Sequence, residues 1–303
     1  MRRFIPVEDL EAKEQVIGFS ETIDWGLALT DVESAWKSTK GQGIKIAVVD
    51  TGISDHVDLA GKIIAKYDAT GEGVEPSTEH GTHVAGIITA NEDDNGIVGV
   101  APQSQVYSVK VLASGGMGTF DYILKGLQIC ETLDCNIINM SLGVASDPPA
   151  EIHNQIQKLY HQNKIIIAAA GNDAGAVNYP AAYPEVIAVG AIDKTKTLAK
   201  FASRGPEIKA VAPGVDILST YGTNEYRTMS GTSMAAPFFS GICALLLSFS
   251  KNNPDKLKID TFDDLLRILD ILCDPEVDHP YAGVLSNVGF GIPHFANNMP
   301  WKT

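Results

Sequence analysis

Residues 44–52, IKIAVVDTG, form a short apolar run that ends abruptly at Asp50 and Gly52. A run of this length that is rich in Ile and Val predicts a strand buried on both faces, as in a parallel sheet. Comparable runs bounded by Gly, Pro or Asp recur at residues 106–112, 137–140, 165–170 and 186–192. The chain is therefore expected to contain an open, mostly parallel sheet.

Stretches of helical length and periodicity separate or follow these strands, at residues 81–90, 119–133, 150–162, 233–250 and 261–272. Alternation of strand and helix predicts an α/β fold of three layers, with a mostly parallel central sheet and helices on both faces. Ligands of such folds bind at the carboxyl ends of the strands. We therefore expect the functional residues to follow strand ends.

The charge balance narrows the possible partners. The 303 residues include 23 Lys and Arg against 37 Asp and Glu, a formal net charge of −14. Such a surface disfavours partners that are bound by neutralising phosphates, so neither nucleic acid nor an anionic membrane is expected. The longest apolar window, residues 241–249, is too short to cross a bilayer.

Composition also predicts the cellular compartment. Glu8, Glu11 and Glu14 stand where an export signal would need an apolar run. The four cysteines match neither a Cys-x-x-Cys pair nor a zinc pattern, and each lies in an apolar stretch, which predicts buried, reduced thiols in a cytoplasmic protein. They are Cys130, Cys135, Cys243 and Cys273.

Three residues carry the chemistry when they are considered together. Asp50 ends the first strand, His80 begins the helical stretch HGTHVAG, and Ser233 stands between a glycine-bearing turn and an apolar helix in GTSMAAP. Taken singly, these positions fit turn chemistry, a metal ligand or a helix N-cap. Together they supply a hydroxyl nucleophile, a base and a carboxylate that orients the base, as nucleophilic acyl transfer requires.

The segments VVDTGI, HGTHVAG and GTSMAAP, in that order, resemble the three signature blocks of the subtilisin family of serine proteases. The resemblance continues through residues 109–112, 139–143, 168–172, 183–190 and 211–214, and covers roughly residues 25–250. It implies a subtilisin-like fold and a serine endopeptidase of broad specificity that acts on proteins or peptides.

The resemblance assigns a role to each matching residue. Ser233 would be the nucleophile, His80 its general base, and Asp50 the carboxylate that fixes the imidazole. Asn172 would donate to the developing oxyanion together with the backbone N–H of Ser233. His83, the second histidine of HGTHVAG, would be structural.

Substrate recognition in this family adds the peptide as an extended strand to exposed backbone edges. The matching segments here are residues 113–118 and 141–144, and an apolar subsite is expected upstream of the cleaved bond. Asp173, next to Asn172, is expected near the primary specificity pocket, where it would favour basic side chains. The other substrate-binding candidates are Gly116, Gly118, Phe120, Ile123, Ser141, Leu142 and Gly143.

Calcium is the cofactor that the resemblance implies. The loop after the HGTHVAG helix binds it in subtilisins, and oxygen-only ligands around a glycine turn suit this ion. The ligands here would be Asp58, the side chain of Asp93, and the carbonyls of Asn91, Asn95 and Ile97. A second, weaker cation site is implied at the carbonyls of Ala181, Tyr183 and Val186 together with Asp193.

The chain is most similar to the intracellular subtilisins, which are cytoplasmic and commonly dimeric. Residues 1–24 are expected to be an N-terminal extension and residues 25–303 the peptidase domain, although the sequence from about 251 matches the family poorly. The counterpart of the family's inhibitory segment is Phe4-Ile5-Pro6-Val7, which departs at Val7 from an aromatic residue. A proline there presents a poorly cleavable bond, so a zymogen is expected.

Two departures and two alternatives remain. Glu79 precedes His80 where relatives have a small residue, and Phe238-Phe239 replaces a common His-Val. A carboxylate beside His80 predicts a raised imidazole pKa and a higher acid limb of activity. A non-catalytic binding protein on the same fold is one alternative function. A serine esterase or acyltransferase is the other, although Ser233 lacks the Gly-x-Ser-x-Gly context of such enzymes.

Overall fold

The computed structural model describes residues 21–275 and 288–295, together with the backbone of residues 5–6 and 10–14. Within these ranges the helices match the predicted stretches and add two short ones near the N-terminus. They are α1 (Trp25–Thr30), α2 (Val32–Trp36), α3 (His80–Thr89), α4 (Phe120–Thr132), α5 (Ala150–His161), α6 (Thr232–Asn252) and α7 (Phe262–Leu272), with a 3₁₀ turn at Val57–Leu59.

The strands include every predicted run and several that the sequence patterns did not indicate. In chain order they are β1 (Ile5–Pro6), β2 (Leu10–Glu14), β3 (Lys45–Asp50), β4 (Ile63–Asp68), β5 (Gln105–Lys110), β6 (Ile137–Met140), β7 (Leu142–Gly143), β8 (Ile165–Ala169), β9 (Val186–Ile192), β10 (Ile208–Pro213), β11 (Ile217–Tyr221), β12 (Glu225–Ser230), β13 (Cys273–Asp274) and β14 (Ile292–Pro293).

Seven of these strands form the central sheet, in the order β10-β9-β8-β6-β3-β5-β4, and all of its neighbouring pairs are parallel. β3 lies near the middle, between β5 and β6, and its last five residues are fully buried. Central strands of a parallel sheet are covered on both faces, which explains the unbroken apolar runs. The predicted three-layer α/β architecture is confirmed.

Helices α3 and α6 pack against each other and against the sheet, whereas α4 and α5 form a second pair. All ten residues of α3 are buried. Small residues such as Gly86 permit this, because a Cβ at that position would overlap the hydroxyls of Ser219 and Thr220 on β11. The two helices that begin with His80 and Thr232 are therefore core elements.

Within the described part of the chain, α6 is the one helix whose length and apolar composition would suit a membrane span. The expectation that no apolar window reaches that length was therefore wrong, because the alanines and other small residues before Gly241 extend the apolar stretch. The most apolar window of α6 is 94% buried inside the protein, where the helix contacts β6, β8, β9 and β10.

Three smaller sheets surround the central one. β1 pairs antiparallel with β7, β2 adds antiparallel to the hairpin β11–β12, and β13 pairs with β14 beside β10. The four cysteines are unpaired and buried, as predicted. The expected helix at residues 261–272 is α7, whose N-cap Thr261 forms a reciprocal capping box with Asp264.

Candidate active site

Asp50 and His80 form a buried pair at the carboxyl end of β3. His80 Nδ1 lies 2.7 Å from Asp50 Oδ1, which also accepts a hydrogen bond of 2.7 Å from the backbone N–H of Thr51. Asp50 has no exposed surface and His80 is 4% exposed. Because a carboxylate accepts only, the pair places the imidazole proton on Nδ1 and leaves Nε2 as the basic nitrogen.

The position of His80 depends on close packing between two glycines, Gly52 and Gly81. Gly81 lies so close to Gly52 that a Cβ on Gly81 would overlap the Gly52 carbonyl oxygen. The N–H of Gly81 donates 3.0 Å to Thr51 Oγ1, whose own proton goes to the carbonyl of Thr78 at 2.8 Å. The DTG turn after β3 therefore grips the first turn of α3.

Ser233 occupies the first turn of α6, the helix that packs against α3. Its Oγ donates to the carbonyl of Ser141 at 3.2 Å, and Ser141 Oγ donates to the carbonyl of Ser233 at 2.9 Å. Asn139 Nδ2 donates to Ser141 Oγ at 3.0 Å, and Ser240 Oγ donates to Asn139 Oδ1 at 3.0 Å. This chain of bonds fixes the start of α6 to the end of β6.

Asn172 follows β8 and is oriented by the residue before Ser233. Its Oδ1 accepts from both the backbone N–H and the hydroxyl of Thr232, each at 2.9 Å. Thr232 Oγ1 accepts in turn from the N–H of Gly171 at 3.1 Å. With Oδ1 engaged, the Nδ2 amide is left to donate elsewhere. Thr232 is a positioning residue that the sequence interpretation missed.

His83 belongs to the scaffold. It has no exposed surface, and its Nε2 lies 2.9 Å from the carbonyl of Arg227 on β12. Burial lowers the pKa of His83 to about 3, and the neighbouring His80 contributes in the same direction. A ring that stays neutral and faces a carbonyl ties α3 to the β11–β12 hairpin.

The predicted substrate residues lie in the turn before α4, in the first turn of α4 and at β7. Leu142 and Gly143 form β7, and Gly116 lies in a turn with a positive φ of 70°. Gly118 is close-packed, since its Cβ would meet Leu112 at 2.8 Å. Among the apolar candidates, Ile123 and Leu142 have no exposed surface, whereas Phe120 packs partly exposed against the same core.

Asp173 stands on the surface beside Asn172. Its Oδ1 accepts a hydrogen bond of 2.6 Å from Ser203 Oγ. A Cβ at Gly171, which has a positive φ of 117°, would lie 2.6 Å from that hydroxyl and 2.7 Å from the side-chain nitrogen of Asn178. The backbone at Gly171 is therefore tightly packed, and the exposed Asp173 is held beside it by its bond to Ser203.

The predicted calcium ligands surround one turn after α3. Asp58 is 3% exposed, and its Oδ2 accepts from the N–H of Ile97 at 3.0 Å. The N–H of Asp93 donates to Glu21 Oε1 at 3.0 Å, so a third carboxylate, which the sequence interpretation missed, lies beside this loop. A Cβ at Gly96 would lie 2.5 Å from Asp58 Oδ2.

The electrostatics of this loop fit a cation. The pKa of Asp58 is raised to about 6, mainly by burial and in smaller part by the charges of Asp93 and Glu21, against the lowering effect of hydrogen bonds from Ile97 and Tyr226. The backbone N–H groups of Glu21 and Thr22 donate to the carbonyls of Asp94 and Gly96. Within the described residues, no backbone N–H of a turn or loop donates to the carbonyls of Asn91, Asn95 or Ile97. The buried carboxylate of Asp58 is therefore bonded to the backbone of this loop.

The described residues contain no group of three or more His, Cys, Asp or Glu side chains placed to hold a metal. The predicted set contains two carboxylates and three carbonyls, so it lies outside that pattern. At the second predicted site, Asp193 Oδ1 accepts from Thr195 N, Thr195 Oγ1 and Thr197 N within its own turn. The carbonyl of Tyr183 accepts from Val186 N at 3.1 Å.

The two departures noted in the sequence have structural counterparts. Phe238 and Phe239 are 2% and 0% exposed and belong to the main core, so they replace nothing in the site. The carboxylate of Glu79 is bound by Ser54, Thr82 and Gly222. Its effect on the pKa of His80 remains a prediction.

A buried Asp–His pair, a serine in the first turn of a helix and an anchored asparagine on a parallel sheet define a serine hydrolase of the triad type. Residues 41–291 match the family model described as the subtilase family. The chain is 38% identical over 255 residues to an intracellular serine protease of Paenibacillus polymyxa, an alignment that covers 80% of this chain and 77% of that one.

Two further proteases are similar to this chain. Subtilisin DY of Bacillus licheniformis is 38% identical over 244 residues, covering 76% of this chain and 86% of the relative. The minor extracellular protease Epr of Bacillus subtilis is 38% identical over 273 residues, covering 88% of this chain and 40% of the relative. The chain belongs to the subtilase family and is a serine endopeptidase with a subtilisin-type triad.

Proposed function

We propose that this protein hydrolyses peptide bonds in proteins with broad specificity, through an acyl-enzyme on Ser233. The observation that carries the proposal is the 2.7 Å contact between His80 Nδ1 and Asp50 Oδ1 at the end of β3, with Ser233 on the neighbouring helix. His80 Nε2 takes the proton of Ser233 Oγ as that oxygen attacks the scissile carbonyl, and then returns it to the leaving amine. Asp50 stabilises the imidazolium that forms between these steps.

The oxyanion of the tetrahedral intermediate is stabilised by Asn172 Nδ2 and the backbone N–H of Ser233. The two bonds from Thr232 to Asn172 Oδ1 hold the carboxamide before the substrate arrives. A donor fixed in advance needs no reorganisation when charge develops, which is why such donors lower the barrier.

The N-terminal extension is proposed to occlude the cleft of the intact chain. Ile5 and Pro6 pair with Gly143 and Leu142, the edge that was assigned to substrate, and β2 pairs with β12, the strand that leads to Ser233. Ser233 has no exposed surface in the full chain. An extended segment bound in this way competes with substrate for the same backbone groups.

Calcium is proposed to bind between Asp58, the side chain of Asp93, and the carbonyls of Asn91, Asn95 and Ile97, with Glu21 beside them. The ion would neutralise carboxylates that otherwise repel one another. It would stabilise the fold, since a ligand that binds only the folded state raises its stability. The second cation site, with Asp193, remains a weaker proposal.

An intracellular location and a homodimer are also proposed. The relative from Paenibacillus polymyxa is named an intracellular serine protease, whereas Epr is named an extracellular one. The four buried thiols favour a reducing compartment. Fractionation of the source cells would locate the protein, and sedimentation of purified protein would give its oligomeric state.

The test of the main proposal is hydrolysis of casein and of a peptide panel by purified full-length protein, with and without calcium. Ser233→Ala and a variant that lacks residues 1–18 are measured beside it. Activity that requires Ser233 and rises on truncation supports both the peptidase and the occluding extension. If both forms are inert in calcium and a phosphonylating reagent leaves Ser233 unlabelled, the triad assignment fails.

A further inference from the structure

Glu79, the residue directly before His80, makes contacts that the peptidase mechanism does not use. Its carboxylate accepts hydrogen bonds from Ser54 Oγ at 2.8 Å, from Thr82 Oγ1 at 2.7 Å and from the backbone N–H of Gly222 at 3.2 Å. We call this group of four residues the Glu79 clamp. Both carboxylate oxygens take part, since Ser54 Oγ also lies 3.0 Å from Oε1.

The three donors of the clamp come from separate segments. Ser54 lies four residues after Asp50, in the loop that leaves β3. Thr82 lies in the first turn of α3, two residues after His80. Gly222 forms the turn of the β11–β12 hairpin, and β12 runs directly to the turn before Ser233. Each donor therefore lies in a segment that is directly connected in sequence to one member of the triad.

Further bonds close the clamp into a ring. The N–H of Ser54 donates 2.9 Å to Thr82 Oγ1, the hydroxyl that itself donates to Glu79. The N–H of Val57 donates 3.0 Å to the carbonyl of Thr223, so the same loop meets the hairpin turn a second time. A ring of bonds among three segments restricts each of them more than separate pairs would.

The chemistry of position 79 suits a carboxylate. A small residue there would leave two hydroxyls and an amide without their shared acceptor. An ionised acceptor forms stronger hydrogen bonds than a neutral one, and a negative charge is favoured at the N-terminus of α3. The three donors all belong to this chain, so the contacts described for the carboxylate lie within the protein.

We propose that Glu79 is a positioning residue of the peptidase reaction, whose carboxylate holds the start of α3, and with it the His80 imidazole, against the Asp50 loop and the hairpin that leads to Ser233. The inference rests on the proposed roles of the triad. It predicts that loss of the clamp slows the chemical step while the affinity for peptide is retained, because the backbone edges that bind substrate lie outside the clamp.

The test compares variants of the full-length chain, and the same variants in the chain that lacks residues 1–18, by the rate at which a small sulfonyl fluoride modifies Ser233 and by kcat and KM on one peptide. We expect Glu79→Ala to lower both rates about tenfold or more at unchanged KM, as displacement of a catalytic group does. Glu79→Gln, which keeps one acceptor oxygen, should recover part of the loss. Thr82→Val should resemble Glu79→Ala, and the double variant should be no slower than Glu79→Ala alone. Glu75→Ala, an exposed acid in the same loop, controls for charge.

The outcomes are separable. Equal rates for Glu79→Ala and Glu75→Ala, or additive losses in the double variant, overturn the proposal. So does a Glu79→Ala that raises KM and leaves kcat unchanged. Should Ser233 resist modification both in the unaltered chain and in the chain that lacks residues 1–18, the peptidase proposal fails instead. The clamp is then tested by the free energy of unfolding. The loss of stability in the Glu79→Gln, Thr82→Val double variant should be smaller than the sum of the two single losses, and additive losses overturn the proposal. These two milder variants also serve if Glu79→Ala does not fold.

Discussion

Asp24 makes the stability of this protein depend on pH in a direction opposite to that of an ordinary surface carboxylate. Its Oδ1 accepts from the N–H of Gly26 at 2.9 Å and so caps α1, while its Oδ2 accepts from the N–H of Leu218 on β11 at 3.1 Å. It lines a small apolar cavity with Leu27 and Phe238. Burial raises the pKa of Asp24 to about 6, and the two N–H groups offset only part of that rise.

The sign follows from the proton balance. The folded chain binds a proton at Asp24 near pH 6, whereas the unfolded chain binds it near the ordinary value of 3.8. Stability from this group is therefore complete below pH 3.8 and is lost as the pH rises through 6. A separation of about two pKa units corresponds to about 3 kcal/mol at most between pH 4 and pH 7.5.

The assay is urea unfolding of Asp24→Asn and its parent at several pH values from 4 to 7.5, both in a Ser233→Ala background that prevents self-digestion. The variant carries a constant penalty, because its Nδ2 faces the N–H of Leu218, whereas the parent should gain up to about 3 kcal/mol relative to the variant as the pH falls. Asp58, whose pKa is also raised, titrates in both proteins and cancels. A difference that stays constant with pH would refute the reasoning.

Other predictions concern the site directly. Thr232→Val removes one of two bonds to Asn172 Oδ1 and should lower kcat about tenfold with KM unchanged. A rise in KM of the same size would contradict an oxyanion role. Gly81→Ala places a Cβ on the Gly52 carbonyl and should abolish labelling of Ser233 by a phosphonate in chains that remain folded by circular dichroism. Chelation of calcium should lower the melting temperature and return it on re-addition of the ion; an unchanged temperature would contradict the calcium site.

The strands buried on both faces could be predicted from the sequence, because composition alone marks them. The strand predicted over residues 44–49 became β3, Lys45–Asp50, which begins and ends one residue later. Strand β4 was missed because it is the edge of the sheet, where residues such as Lys66 interrupt the apolar pattern. The hairpin strand β12, EYRTMS, is polar over most of its length, so neither its period nor its composition predicts a strand.

The residues of the site divide along a different line. Asp50, His80 and Ser233 lie in segments whose letters are distinctive, so the resemblance assigned them. Thr232 and Glu21 act through hydrogen bonds to residues that are distant in the chain, and no local pattern predicts such pairings. Thr232 stood within a quoted motif, yet its role depends on how α6 meets the end of β8.

The placement of the extension connects the fold to its proposed regulation. A parallel sheet ends in loops at one edge, and the chain after β6 forms the short strand β7 there. A two-residue strand exposes backbone groups to any extended segment, so the edge that is suited to a substrate is equally suited to the protein's own N-terminus. Proline at position 6 has no N–H to donate, and Pro6 pairs with Leu142. A covalently attached strand is present at high effective concentration, so occlusion can be strong while each contact is weak. Cleavage of the chain after Pro6 breaks the covalent link between β1 and the rest of the protein. It should therefore raise activity more than the loss of any single contact that β1 makes.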